Sequence, residues 1–315
     1  MSALSWRLCL RHVPRLVLAI VAIGLMATTP NFVTRGTLGT ILALGSIVGV
    51  LAIGQSFVLI GGGFDLAQGA TMAMTAATAA ILVTSQNLSP WIAVPVVFAI
   101  GASLGAINGL FVAAVGTNPF VTTLSTLLLY RGGAFLLLKG LPINKVTSFA
   151  LLENGPMLGG TLIPSRAFVF LAVAAVSWVV LSKTIFGRHV YAVGGNVQAA
   201  RLSGLPTIRL RVATFALSGM AAALAALMQL SWVRVAKPDT GYGLELDSIA
   251  ACVVGGISLQ GGSGSVVGAV LGCLLLQALG MYITMSGFPD EYRSLATGAV
   301  ILTFAAADAL ARRTS

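Results

Sequence analysis

Charge is what this 315-residue chain has least of. Only 8% of its residues are Asp, Glu, Lys or Arg, against 57% hydrophobic ones, where a soluble domain is about a quarter charged. A water-exposed surface of ordinary composition is therefore excluded. Cysteine and histidine are equally scarce. Cys9, Cys252 and Cys273 are odd in number and far apart, and two of them lie in apolar runs, which excludes a disulfide framework and a metal site and leaves them as packing residues. His12 and His189 sit among basic residues with no partners in view, so they read as solvated. No G-x-x-x-x-G-K-[ST] phosphate loop, H-E-x-x-H pair or Ser, His and Asp arrangement is present. The sequence reads as no enzyme, and it cannot draw on ATP by itself.

What is there in quantity is apolar sequence long enough to cross a bilayer, which takes about 20 residues per helix. Runs fall at Leu16–Thr29, Leu38–Ile60, Leu66–Thr84, Trp91–Val115, Phe120–Leu138, Ala167–Leu181, Val212–Trp232, Leu244–Gly255, Val266–Ser286 and Leu295–Leu310. They lack the strict alternation of a membrane barrel. The expected fold is an all-α membrane protein, one polytopic domain of about ten transmembrane helices. Leu244–Gly255 is too short to cross at 1.5 Å per residue and reads as a half helix. Arg7, Arg11 and Arg15 before the first run look like a secretory leader, but the polytopic remainder makes that run a retained first span.

The net charge of +10 would suit a nucleic-acid binder if it covered one soluble face. Here the basic residues punctuate apolar runs, so no nucleic-acid partner is expected and the charge reads as topogenic. With the N-terminus inside, Arg7, Arg11, Arg15, Lys183, Arg188, Arg201, Arg209, Arg211, Arg312 and Arg313 all lie inside. The opposite orientation would put the Arg-dense 183–211 stretch outside. Both termini are therefore expected in the cytoplasm, with 183–211 a cytoplasmic loop and the Pro- and Gly-rich 139–166 an extracytoplasmic one. An inverted repeat of helices 2–5 on 7–10 is suggested by two glycine stripes, Gly101, Gly105, Gly109 and Gly264, Gly268, Gly272. Each follows an Asp-led helix start, Asp65 or Asp247.

Ionisable groups inside spans mark ion or proton coupling. Only Arg131 lies clearly within a run, and Asp65 at the Gly61–Gly63 break. The energy must then come from a partner. Asp65 reads either as a cap on the third helix or as a group lining a translocation path. Asn118, Thr122, Thr123, Ser125 and Thr126 line the start of the fifth helix and offer hydrogen bonds to a solute or to neighbouring helices. Arg131 either lines the path or snorkels outward.

Four ordered motifs are specific. They are Gly62-Gly63-Phe64-Asp65-Leu66-Ala67-Gln68-Gly69; Pro119 to Leu124 with Arg131-Gly132; Gly187-Arg188 with Tyr191 to Asn196 and Ala199 to Gly204; and Leu246 to Ala251 through Gly255-Gly256, Ser258-Leu259 and Gly261 to Val266. In these the chain resembles the permease subunits of bacterial ATP-binding-cassette importers for simple sugars, of the ribose, galactose and xylose type, distant relatives of branched-chain amino-acid permeases. The resemblance implies a second permease subunit, a cytoplasmic ATPase pair and an extracytoplasmic sugar-binding protein, for which 139–166 is a landing surface or a mere connector. It places the chain in the lipid of the bacterial inner membrane. It implies no cofactor on this chain, ATP and Mg belonging to the ATPase.

It further implies that the loop holds a short helix docking into the ATPase, with an E-A-A-x-x-x-G pattern. Gln198, Ala199, Ala200, Arg201 and Gly204 align with that pattern, with Gln where it has Glu. Gly194, Gly195 and Asn196 would reverse the chain, Asn196 would cap a helix of roughly two turns from Val197, and Gly204 and Pro206 would end it. Without the order of motifs the same stretch reads as an ordinary positive inside loop. The expected function is the inward passage of a monosaccharide-like solute by alternating access. A permease for branched-chain amino acids or nucleosides, and an ion-coupled secondary transporter, are the alternatives.

Overall fold

The computed structural model describes Gly24 and residues 32–149, 165–289 and 291–313. The expected first span, Leu16–Thr29, lies outside the described residues except for Gly24, as does the 150–164 part of the extracytoplasmic loop. The helices are α1 (Arg35–Ile60), α2 (Gln68–Thr84), α3 (Pro90–Leu110, prolonged by a wide π turn over Phe111–Val115), α4 (Pro119–Leu137), α5 (Ser165–Lys183), α6 (Ile185–Gly195), α7 (Val197–Leu202), α8 (Thr207–Val233), α9 (Leu244–Val254), α10 (Val266–Met285) and α11 (Glu291–Arg313). Six of them, α1, α3 with its π turn, α4, α5, α8 and α10, are long and apolar enough to cross a membrane. The 11 residues of α9 reach only about 16 Å, half of a roughly 30 Å apolar layer, as its Gly255-Gly256 ending foretold.

The core is built round α1 and α8. Val50, Leu51, Ala52, Leu59 and Ile60 of α1 are completely buried, as are Ala222, Ala223, Ala225 and Leu230 of α8. Small residues permit this closeness. A methyl group at Gly105 of α3 would run into the Phe215 carbonyl of α8, one at Gly101 into the Gly219 carbonyl, and one at Gly219 into that of Gly101. Dispersion between backbones replaces the hydrophobic effect, which has no purchase between helices in lipid.

The pairing has internal order. In the first half α2 packs on α3 and α4, and α8 packs on α1, α2 and α3; in the second half α9 packs on α10 and α11, and α1 packs on α8, α9 and α10. The glycine stripes, however, are not counterparts. Gly101, Gly105 and Gly109 face α8, whereas Gly268 and Gly272 face Gly255 and Ala251 of α9, and Gly264 precedes α10 in a loop against Ile257. Asp65 likewise lies before its helix, while Asp247 lies within the first turn of α9.

The connections after α4 and α8 are tied by backbone: Ile143 N–H donates to the Ala236 carbonyl (3.0 Å), Ala236 N–H to that of Ile143 (2.9 Å) and Val146 N–H to that of Arg234 (3.0 Å). At the other end of α8 lie α6 and α7.

Candidate functional site

The 183–211 stretch holds two helices, α6 and α7, between the end of α5 and the start of α8. Thr184 opens α6 by accepting the Gly187 N–H on its hydroxyl (3.3 Å), and α6 runs on through Gly194 and Gly195. Both glycines are helical and have no positive φ. The expected reversal at Gly194-Gly195-Asn196 is therefore made by Asn196 alone, in extended conformation (φ −157°), whose Oδ1 accepts the Ala199 N–H (2.9 Å) to start α7. Gly204, with φ of +80°, ends it as expected. α7 has two faces. Ala200 is buried with Val193 and Leu210, beside Phe186, Val197 and Leu205. Gln198, Ala199, Arg201 and Leu202 are exposed, Leu202 to 90%.

Gly194 has a reason other than a turn. A methyl group there would meet the Ile60 carbonyl at the end of α1 and the Gly262 amide, which itself donates to that carbonyl (2.9 Å). Gly261 sits against the Gly62 backbone and the Gly194 carbonyl, and Gly262 against Gly195. Three segments, the end of α6, the break after α1 and the loop after α9, thus meet backbone to backbone. Two side chains brace them: Tyr191 donates to the Gly264 carbonyl (2.8 Å) and Arg211 to that of Gly62 (3.3 Å). Burial pushes the Tyr191 phenol above its ordinary pKa, keeping it a neutral donor.

Deeper in, a polar network joins five segments within the apolar core. Ser218 of α8 donates to Asp65 Oδ2 (2.7 Å) and accepts from Gln68 Nε2 (3.1 Å). Gln68 also donates to the Leu51 carbonyl of α1 (2.9 Å), and its Oε1 accepts from Ser248 of α9 (2.9 Å). Asp65 Oδ1 accepts the Ala67 N–H (3.0 Å), one residue before α2 begins, so the carboxylate pins α8 as well as shaping the helix start.

Further along α8, Arg131 of α4 donates through Nη1 to the carbonyls of Thr240 (2.7 Å) and Pro238 (3.3 Å), under the ring of Tyr242 at 5.8 Å. Arg131 Nη2 and Glu245 Oε2 are buried without partners, and such orphaned groups cost about 1–3 kcal/mol each. Arg293 of α11 donates to Gln277 (3.1 Å) and stands 3.8 Å from Asp247, tying α9, α10 and α11.

The family model described as branched-chain amino acid transport system / permease component matches residues 37–305. The chain belongs to this permease family. It is similar over 89% of its length to 87% of the ribose import permease protein RbsC of Haemophilus influenzae, at 38% identity. It matches the RbsC of Escherichia coli at 35% over 91% of this chain and 90% of that one. It also resembles the galactose/methyl galactoside import permease MglC of Haemophilus influenzae, at 31% over 93% and 92%. No solved structure matches. As a permease component it is an inner-membrane transport subunit rather than an enzyme.

In this permease the residues expected to couple to an ATPase are adjacent but divided in orientation, with Gln198, Ala199, Arg201 and Gly204 outward and Ala200 and Gly194 inward. The residues expected along a path are scattered. Asn118 caps α4 through the Phe120 N–H (2.9 Å). Thr122, Thr123 and Thr126 are buried and donate back to carbonyls of their own helix or its cap, and Thr122 also shares a hydrogen bond with the Thr117 hydroxyl before α4 (2.7 Å). Asp65 is in the core network and Arg131 in the cluster beyond it. Ser218 had no sequence signal of its own, and Gln68, Leu202, Ser248 and Gly262 had only their places in motifs.

Proposed function

We propose that the chain is the membrane-spanning subunit of an ATP-binding-cassette importer carrying a ribose-type monosaccharide inward by alternating access. The observation that carries this reading is the match to ribose import permeases along about nine-tenths of the chain. About ten helices cross, both termini are cytoplasmic, and α6 and α7 lie on the cytoplasmic side. The parallel pairing of α1–α4 and α8–α11 supports an inverted repeat of the kind that lets two halves rock about a central site. A second permease subunit completes the path, an extracytoplasmic binding protein delivers the sugar, and a separate ATPase holds ATP and Mg. This chain binds no cofactor.

The ATPase seats on the outward face of α7, where Gln198, Arg201 and the 90%-exposed Leu202 offer a polar rim and an apolar knob. Movement of α7 reaches the spans through the glycine junction. Gln198 gives that seat a neutral hydrogen-bonding group where the family pattern has a carboxylate.

The test is uptake of labelled D-ribose into sealed vesicles holding this permease and its ATPase, with loaded binding protein outside and ATP inside. ATP-dependent accumulation is expected. Accumulation driven by an ion gradient without nucleotide would refute the reading, and accumulation of L-leucine or a nucleoside in place of any sugar would move it to another solute. Leu202→Glu, on a side chain free of the core, should strip the ATPase from the purified complex and leave the permease folded; unchanged co-purification would remove α7 as the seat.

A further inference from the structure

Charge is kept inside an apolar layer where something uses it, and ATP-driven coupling through α7 makes no use of Arg131 or Glu245. Each of these side chains is half satisfied. Arg131 spends Nη1 on two backbone carbonyls and leaves Nη2 without a partner. Glu245, in the first turn of α9 and only 7% exposed, accepts the Gly243 N–H on Oε1 (3.3 Å) and leaves Oε2 without one. The carboxylates of Glu245 and Asp239 are near enough to act on the Arg131 charge, yet neither forms an ion pair with it. A donor and an acceptor therefore stand near one another with nothing from the protein to complete them.

Over Arg131 lies Tyr242, a residue 80% exposed whose ring presents its face to the guanidinium. It is flanked by Gly241 (φ +74°) and Gly243 (φ +81°), two left-handed residues on which the chain can pivot at little steric cost. Tyr242 is thus an aromatic cover on a glycine-hinged turn, placed over the buried donor.

We propose that Arg131, Glu245 and Tyr242 form a hydroxyl-binding subsite for a polyhydroxylated solute, covered in this conformation and uncovered when the turn at Gly241–Gly243 moves. A sugar hydroxyl both donates and accepts, so neighbouring hydroxyls satisfy Glu245 Oε2 and Arg131 Nη2 together, and the C–H face of the ring lies on Tyr242. The contacts are few, which suits a solute that must leave again. The inference rests on the sugar-importer reading.

The experiment uses the full permease with its ATPase and binding protein in vesicles, at saturating loaded binding protein. It reads the ratio of uptake rates for D-ribose to those for 2-deoxy- and 3-deoxy-D-ribose, with ATPase activity measured alongside. Arg131→Gln and Glu245→Gln should slow D-ribose by about tenfold while slowing at least one deoxy sugar far less, because a deleted hydroxyl has no contact left to lose. ATPase stimulation should stay within about twofold of the parent protein, as expected for groups that touch solute rather than the coupling helix. Equal slowing of all three sugars would overturn the inference and leave the residues structural. Should either variant fail to assemble, Tyr242→Ala decides, since its side chain is exposed: the ratio should shift, and an unchanged ratio overturns the inference. If the parent protein carries no sugar at all, the importer reading falls and this inference with it; ribose uptake with unchanged ratios sinks this inference alone.

Discussion

The two ends of α8 are held by opposite means. Near its start, Gly194, Gly62, Gly261 and Gly262 bring three segments together through main chain, with the Gly262 N–H on the Ile60 carbonyl (2.9 Å). Near its finish, α4, α9 and the connection between α8 and α9 meet through Arg131, Tyr242 and Glu245. Main chain in contact has no rotamers with which to absorb a displacement, and packed interiors pass strain on rather than dissipating it. Side chains with unspent hydrogen bonds can change partners while their helices stay in place. On the proposed function, the backbone end is the one suited to transmit movement and the side-chain end the one suited to rearrange.

The sharpest way to break this contrast is at two adjacent glycines. Gly194→Ala puts a methyl group into the Ile60 carbonyl, whereas Gly195→Ala puts one where nothing lies within 4 Å. ATP-driven uptake should fall by about tenfold or more in the first, equivalent to roughly 1.4 kcal/mol or more of coupling, and change by less than about twofold in the second. Both should retain the ATPase on purification, since α7 keeps its outward face. Equal activity of the two variants would show that the junction is not under steric constraint and that transmission runs elsewhere.

These neighbours also mark where the sequence is readable. The helix α7 was legible in its start near Val197 and its close before Gly204, because Asn196 and Gly204 carry their capping chemistry locally. The helix α6 was not, because Gly194-Gly195 has the composition of a turn and its true cause, the approach of Ile60 and Gly262, is set by tertiary contact. The apolar runs matched the positions of the long described helices closely, six of which are long and apolar enough to cross a membrane where about ten were expected, and the short α9 followed from length alone. The local bonding of the α4 threonines follows from the helix itself: in an apolar helix the nearest acceptor is the carbonyl one turn back, and Thr122, Thr123 and Thr126 take it. The polar core was beyond reach, since Gln68 meets Ser218 and Ser248 across 150 and 180 residues of chain.

That core supplies an intermediate effect. Gln68→Leu would remove the links to Leu51, Ser218 and Ser248 at once, at about 1 kcal/mol for each hydrogen bond, with Ser218 still held by Asp65 and Ser248 by the Glu245 carbonyl. A marked fall in the melting temperature of the detergent-purified complex is expected, with Gln68→Glu falling at least as far, because it turns an acceptor on the Leu51 carbonyl and Ser218 and buries a second carboxyl beside Asp65. If Gln68→Leu melts with the parent protein, the network lies outside what stabilises the α1, α2, α8 and α9 core.

The smallest effect separates conformation from contact at the far side of the junction. Gly204 has φ of +80° and open space about its α-carbon, so Gly204→Ala meets no neighbour and costs only the left-handed backbone, about 1 kcal/mol for an L-residue. The end of α7 should fray, and the melting temperature should drop by a few degrees at most. ATPase retention should weaken slightly, because Arg201 and Leu202 hang on that last turn. A loss of uptake as large as that of Gly194→Ala, with the ATPase still bound, would mean that the shape of the α7 terminus, rather than the backbone contact at Gly194, carries the movement into the membrane.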